Sequence, residues 1–201
     1  MTITRGYCTL AEFKSACRIP ATDANEDAMM ESIIEAASRR IDGYCGRFFY
    51  TVTTALSLYP TSIYTTAIPD LATAAGLIVK TDTAGNGTFA TTWSAGQYML
   101  NPTDTALTGR PYGRITAVGG RTFPMYALPK LPTLQMTGTW GWAAVPDDVR
   151  EACILLSMRN FSRYNSPLGV AGSPDMGSIL VRAVDPDARD LLNPYQVIAV
   201  A

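Results

Sequence analysis

Four aromatic side chains are the residues of this sequence best suited to act on a ligand: Trp93, Tyr98, Trp140 and Trp142, flat faces on which a sugar ring could stack. Trp140 and Trp142 alternate along a candidate strand, so they share a face, and packing against the sheet or a neighbouring helix explains them more simply. Asp147-Asp148 is an acidic doublet that could serve general acid–base chemistry, yet it follows Pro146 at the start of a helix, where carboxylates suit the helix dipole, as they do at Glu26-Asp27. Asp82, Asn86 and Gly87 imitate the opening of a calcium-binding loop, but the twelfth position is Trp93 instead of Glu and no helical pattern flanks it. A hairpin turn is the better reading.

Nucleophilic chemistry is poorly provided for. Histidine is absent, which removes Ser-His-Asp and Cys-His systems and every His-dependent zinc site. Only three lysines, Lys14, Lys80 and Lys130, remain for amine chemistry. Cys8, Cys17, Cys45 and Cys153 stand at wide, irregular spacings without a CxxC pair, and read as small buried hydrophobes. No cofactor or metal is implied, and the expectation is a protein that is not an enzyme.

Composition points toward assembly. Hydrophobic residues make up 47% of the 201, while charged residues reach only 16%, against about 25% in ordinary globular chains. Surface so poor in charge is suited to contact with other subunits. A net charge of −1 and a pI near 5.4 give no basic field to recruit nucleic acid. No apolar run approaches a membrane span, and Met1–Gly6 is too polar for a signal-peptide core, so the chain is expected to stay in the cytoplasm where it is made.

The elements that would position these residues fall into two kinds. Thr9-Leu10-Ala11-Glu12 is a capping-box pattern opening a helix with Leu10, Phe13 and Cys17 on one face, ending at Ile19-Pro20. A second helix, capped by Asp23 or Asn25, carries an apolar stripe through Met30, Ile33, Ile34, Ala37, Ile41, Tyr44 and Cys45 and stops at Gly46. Its other face holds Glu31, Glu35, Arg39 and Asp42, read as solvated. A third helix follows Pro146, with Val149, Ala152, Cys153, Leu156 and Tyr164 on its apolar face.

Between the second and third helices the composition turns Thr-rich, with β-branched and aromatic residues throughout. Candidate strands are Val52–Leu58, Leu77–Thr81, Thr88–Trp93, Gln97–Leu100, Ile115–Val118 and Leu134–Trp142, separated by turn signals such as Gly85-Asn86-Gly87 and Asn101-Pro102. After the third helix, Asn165–Pro174 reads as a loop and Ile179–Val184 as a short strand. Asp185-Pro186-Asp187 starts a final helix through Leu192, and Asn193-Pro194 ends it. The remainder, Tyr195 to Ala201, is apolar, and residues from about Pro186 to Ala201 are expected to be poorly ordered in the free subunit until they dock on a partner.

The residues from Tyr7 to Phe49, with TLAEFKSACRI and IIEAASRRIDGYCGRFF, resemble the head–tail connector (head-completion or neck adaptor) proteins of tailed bacteriophages. So do TGTWGWAAVPDDVREACILL at Thr137–Leu156, SPLGV at Ser166–Val170 and DPDARDLLNPY at Asp185–Tyr195. Together these cover about half of the chain, in the family's order. The resemblance implies a structural virion protein of the neck, assembled in the host bacterial cytoplasm. It would form a homo-oligomeric ring, commonly of twelve subunits, beneath the portal protein. That ring would bind a downstream neck or tail protein and let DNA pass without sequence-specific binding; no membrane is involved.

The expected fold is α+β: a small helical bundle of three main helices plus a short C-terminal helix, residues 1–50 and 146–192, with a large antiparallel β insertion, 51–145, between helices 2 and 3. Residues 193–201 would be a docking tail. The expected portal-docking residues are Tyr195, Gln196, Val197, Ile198 and Val200, and the expected channel-lining residues are Arg39, Arg40 and Arg47. The competing reading is a β-rich carbohydrate- or receptor-binding module of a phage tail, using the four aromatics above.

Overall fold

The computed structural model describes residues 3–126, 131–164 and 185–197. The chain is α+β and divides into two compact units, one of Met1–Phe48 with Val145–Ala201 and one of Phe49–Ala144. The candidate strand 179–184 and the loop 165–174 lie outside the described residues.

In the first unit, α1 (Leu10–Ala16) opens on the capping box read from the sequence, with Thr9 and Glu12 each satisfying the other's backbone N–H. It closes earlier than Ile19. Arg18 adopts φ 58°, its N–H donates to Ser15 O (3.1 Å), and the Ile19 N–H donates to Lys14 O (2.9 Å). That is a Schellman ending, a place where glycine is the usual occupant. Phe13 is fully buried and meets Phe161 edge-on, with ring centroids 5.8 Å apart.

Helix α2 (Asp27–Cys45) buries Met30, Ile34, Ala37, Ser38, Ile41 and Cys45 on one stripe, and Gly46 at φ 65° ends it. Its N-cap is Glu26, without a side-chain bond, where Asp23 or Asn25 was expected. The Asp23 carboxylate is occupied within its own turn by the Asn25 N–H (3.2 Å), and its carbonyl accepts from the Lys14 ammonium (2.7 Å), which also pairs with Asp27. The polar face is also more than solvated. Glu35 accepts from the N–H groups of Thr4 (2.5 Å) and Arg5 (2.8 Å), and Asp42 accepts from the Tyr7 hydroxyl. These bonds tie the segment before α1 along α2, burying Tyr7 and Cys8.

Helix α4 (Asp147–Tyr164) packs against α2, α1 and α5 (Pro186–Leu192), the last capped by Asp185 as expected. The buried Ser38 hydroxyl joins three pieces of chain. It accepts from the Tyr7 N–H (3.0 Å), donates to Ile34 O (2.8 Å) and lies 3.4 Å from Cys153 Sγ. Cys8 and Cys153 sit Sγ to Sγ at 3.6 Å, and all four cysteines are free.

The second unit is a seven-stranded antiparallel sheet. Its strands are β1 (Thr51–Leu58), β2 (Thr65–Leu71), β3 (Ile78–Thr81), β4 (Thr91–Trp93), β5 (Tyr98–Asn101), β6 (Tyr112–Ala117) and β7 (Leu134–Gly141). The order β4-β3-β7-β2-β6-β5 is supplemented by β1, which pairs with β7 along all eight residues. Strand β2 was not among the expected strands, and it contains Pro69, a residue that disfavours the middle of a ladder. The structure resolves the conflict with a register shift between Ala67 and Leu71: the first residues pair with β6, and Leu71 reaches both Tyr112 and Trp140. Pro69 sits in that irregularity, where no ladder donor is needed. The single helical turn α3 (Thr105–Thr108), closed by Gly109 at φ 66°, was also not anticipated.

Asp82 makes the β3–β4 turn a hairpin loop and not a cation site. Its carboxylate is fully buried and filled by N–H donors from Ala84 (3.0 Å), Gly85 (2.8 Å) and Gly87 (2.7 Å). Burial pushes this carboxyl up, but the amides of Gly87, Gly85 and Ala84 outweigh it and hold it below its ordinary 3.8. A depressed folded value means the stabilisation is present above the unfolded value and is lost as pH falls through the folded one. The β unit should therefore lose stability below about pH 4. Asp82→Asn should melt at a lower temperature near neutrality and show a flatter acid dependence, as thermal denaturation across pH 2.5–7 (an estimated window) would reveal. Arg18→Gly should raise the stability of the helical unit by up to about 1 kcal/mol, since a left-handed L-residue costs roughly 1–2 kcal/mol and glycine gives part of that back as chain entropy. Chemical denaturation compared with the parent chain measures it.

Candidate assembly surfaces

Helix α2 ends with carbonyls that have no helical partner, as every helix does. Gly46 donates to Asp42 O (2.8 Å), which leaves Tyr44 O and Cys45 O facing outward. The chain after α5 supplies their donors. After a 3-10 turn, Asn193–Tyr195, the Gln196 side-chain amide donates to Tyr44 O (3.2 Å) and the Val197 N–H donates to Cys45 O (2.9 Å). Two hydroxyls hold the turn itself: Tyr44 donates to Asn193 Oδ1 (2.6 Å) and Tyr195 donates to Asp148 Oδ2 (3.0 Å).

The expected loose tail therefore needs correction. It is helical or turned through Tyr195 and is fastened to its own helical unit through Val197, with Ala188 and Leu192 buried. Of the expected docking residues, Tyr195 and Gln196 spend their polar groups on this anchorage, and Val197 remains half exposed. Ile198 and Val200 lie outside the described residues. The sequence signal was Gly46, which announces open carbonyls but not the segment that will fill them.

The three expected channel arginines have different surroundings within the subunit. The Arg39 guanidinium is engaged locally: it donates to Arg5 O (2.8 Å), lies 3.3 Å from Asp42 Oδ2 and stacks 5.6 Å from the Tyr7 ring centroid. Burial pushes the Asp42 carboxyl up, with the Tyr7 hydrogen bond and Arg39 pulling against it. Arg40 is exposed and, with Arg189, rims a small apolar hollow of about 50 Å³ over Ile41, Leu156 and Leu192. Arg47 is half buried beyond the Gly46 turn.

The residues suited to acid–base or amine chemistry serve structure. Lys14 is buried between Asp23 and Asp27; Asp147 pairs with Arg150 (2.5 Å) and Asp148 accepts from Tyr195. Among the described residues no group of His, Cys, Asp and Glu could hold a metal ion, and no helix is long and apolar enough to cross a membrane.

In the β unit the indoles are turned inward, each with its N–H satisfied. Trp93 stacks on Phe123 at 5.0 Å and donates to Thr81 Oγ1 (3.0 Å). Trp140 donates to Thr54 O (3.0 Å); Trp142 donates to Asp70 Oδ2 (3.1 Å) and packs on Phe49 at 5.3 Å. Tyr98 is half buried, and that burial raises its phenol. None of the indoles offers a face to a sugar, so the stacking-platform reading loses its residues. Among the large apolar residues this unit exposes are Tyr59, Ile63, Tyr64 and Met125, each about half accessible, at 51%, 45%, 55% and 50%. Tyr59 and Met125 also line a cleft of about 210 Å³ with Pro60, Pro124, Tyr126 and Leu131.

Comparison with known proteins gives three results. Residues 7–75 match the model of the phage gp6-like head-tail connector protein family. No curated protein matches the chain. Among solved structures, the fold is similar to a chain in the neck of an empty GTA particle computed with C6 symmetry (TM-score 0.57, 21% identity, 100% of this chain and 95% of that one). A chain in the neck of the native GTA particle, computed with C12 symmetry, scores 0.57 at 22% identity over 100% and 94%. One in the virion of the native gene transfer agent scores 0.53 at 23% over 97% and 92%. At these identities the likeness is one of fold. The segment from Tyr7 through α1, α2, β1 and β2 carries the signature of the phage gp6-like head-tail connector family, as its resemblance to head–tail connectors indicated.

Proposed function

We propose that this chain is a structural subunit of a phage-type neck, an adaptor that joins copies of itself into a ring beneath the portal, prolongs the DNA channel and connects head to tail. The observation that carries this reading is the likeness of the whole fold to neck chains of a symmetric particle, combined with the connector match over residues 7–75. Chemistry supports it. The acidic doublet, the buried lysine and the indoles are used up in holding the fold, while the exposed apolar groups suit contact with protein. A near-neutral chain also suits a conduit, because dense phosphate neutralisation would grip DNA that has to slide. Within the ring, Arg39, Arg40 and Arg47 are the arginines proposed to approach the channel. The anchored turn at Asn193–Tyr195 would aim residues 198–201 toward the portal, with Ile198 and Val200 as the apolar contacts and Val197 at their base. Assembly would take place in the host cytoplasm and the finished ring would reside in the virion neck.

Deleting residues 198–201 spares the bonds that Gln196 and Val197 make to the end of α2. The truncated chain should keep the parent melting curve and lose cosedimentation with portal-bearing, tailless capsids by at least about tenfold, the equivalent of about 1.4 kcal/mol. Wild-type occupancy by the truncated chain would remove the tail as the anchor. Failure of the full chain to bind such capsids would remove the adaptor reading itself.

A further inference from the structure

Strand β1 is the long open edge of the sheet. It pairs with β7 from Thr51↔Gly141 to Leu58↔Leu134 without a bulge, and among the described residues no backbone hydrogen bond reaches its other side. Such an edge displays a row of free N–H and C=O groups, and proteins that leave one in water blunt it with Lys, Pro, a bulge or a covering segment. Thr51–Leu58 reads TVTTALSL, with no charge and no proline, and the first charged residue after Arg47 is Asp70. Five of its eight residues are exposed. The strand runs directly into the exposed apolar group at Tyr59, Ile63 and Tyr64. An edge fit for strand pairing that continues into apolar surface describes a covered interface.

We infer that the open edge of β1 is a subunit contact, filled in the assembly by a strand from a second copy of this chain. The inference rests on the ring proposed above. In a ring of equivalent subunits each contact joins two different surfaces; β1 paired with another β1 would close on a twofold axis and stop at two copies. The partner strand must then be one of the other open edges, β4 or β5. Strand β4 has three residues, whereas β5 has four, carries no charge and exposes Met99. Strand β5 of the neighbour is the occupant assigned here. Tyr59, Ile63 and Tyr64 would be covered beside the new ladder.

The test uses the full chain, alone and with portal-bearing capsids, followed by light scattering after size exclusion and by electron microscopy. Thr53→Lys with Ala55→Lys places two charges on the β1 edge at exposed positions; Met99→Lys does the same on β5. Each variant should keep the parent melting curve and fail to form the ring. Mixed together they should give a dimer, because one variant retains a sound β5 and the other a sound β1. On assembly of the wild-type chain, alternate amides within 51–58 should gain protection from hydrogen exchange, the outward-pointing half of an antiparallel edge. Rings formed by the Thr53→Lys/Ala55→Lys chain at wild-type yield, or unchanged exchange at 51–58, would overturn the contact while leaving the ring standing. Variants that lose the melting transition are replaced by Thr53→Glu with Ala55→Glu and judged by the same exchange readout. A wild-type chain that remains monomeric even on portal-bearing capsids would overturn the ring and this contact together.

Discussion

The β unit depends on one strand being paired along both of its edges. Strand β7 takes β1 along its whole length on one side and divides the other between β3, opposite Leu134–Thr137, and β2, at Trp140. Gly138 leaves room on that face: a Cβ there would stand 3.0 Å from Leu71 Cδ1 and 3.1 Å from Leu77 Cδ1, so both leucine ends would have to shift. Leu134, Met136 and Trp140 alternate inward from the same strand and are fully buried. Because the side-chain period is two, a slip of one residue in β7 would turn these three out into water and break every pairing that refers to it.

The helical unit has a comparable centre in α2, where one face is buried and the other is crossed by chain from a distance. Ser38 is a polar residue on the apolar stripe, a poor choice for a helix interior unless its hydroxyl is used. Here it bonds within its own helix, to the segment before α1 and toward α4, so a buried polar group fixes register where apolar packing alone would permit sliding. The close approach of Cys8 to Cys153 belongs to the same junction. Burial and the hydrogen bond to Cys153 push the Cys8 thiol up and keep it protonated.

Polar chemistry in this molecule is thus spent on holding the fold. Capping, turn closure and the satisfaction of helix ends absorb Glu12, Asp82, Asp148, Gln196 and the indole N–H groups. Among the described residues, what is offered to other molecules includes backbone at an open sheet edge and apolar surface of moderate size. Both are features of a part that works by being joined.

Local chemistry alone determined a good deal. The Thr9–Glu12 capping box, the Gly46 stop, the Asp185-Pro186 start and the strands β1 and β7 were all readable, because each is settled by residues within a short stretch of chain. The absence of histidine and the low charge bounded the function class in the same direct way. Tertiary structure decided the rest. Pro69 is tolerated in β2 only because the strand changes partners at that point, and Arg18 takes a left-handed turn because helix closure outweighs its strain. The tail is anchored because Tyr44 and Cys45 present carbonyls that residues about 150 positions away happen to reach. Which aromatics stay exposed follows from long-range packing too. No local pattern records a partner that arrives from the far end of the chain, since the free energy favouring it appears only once both segments have folded.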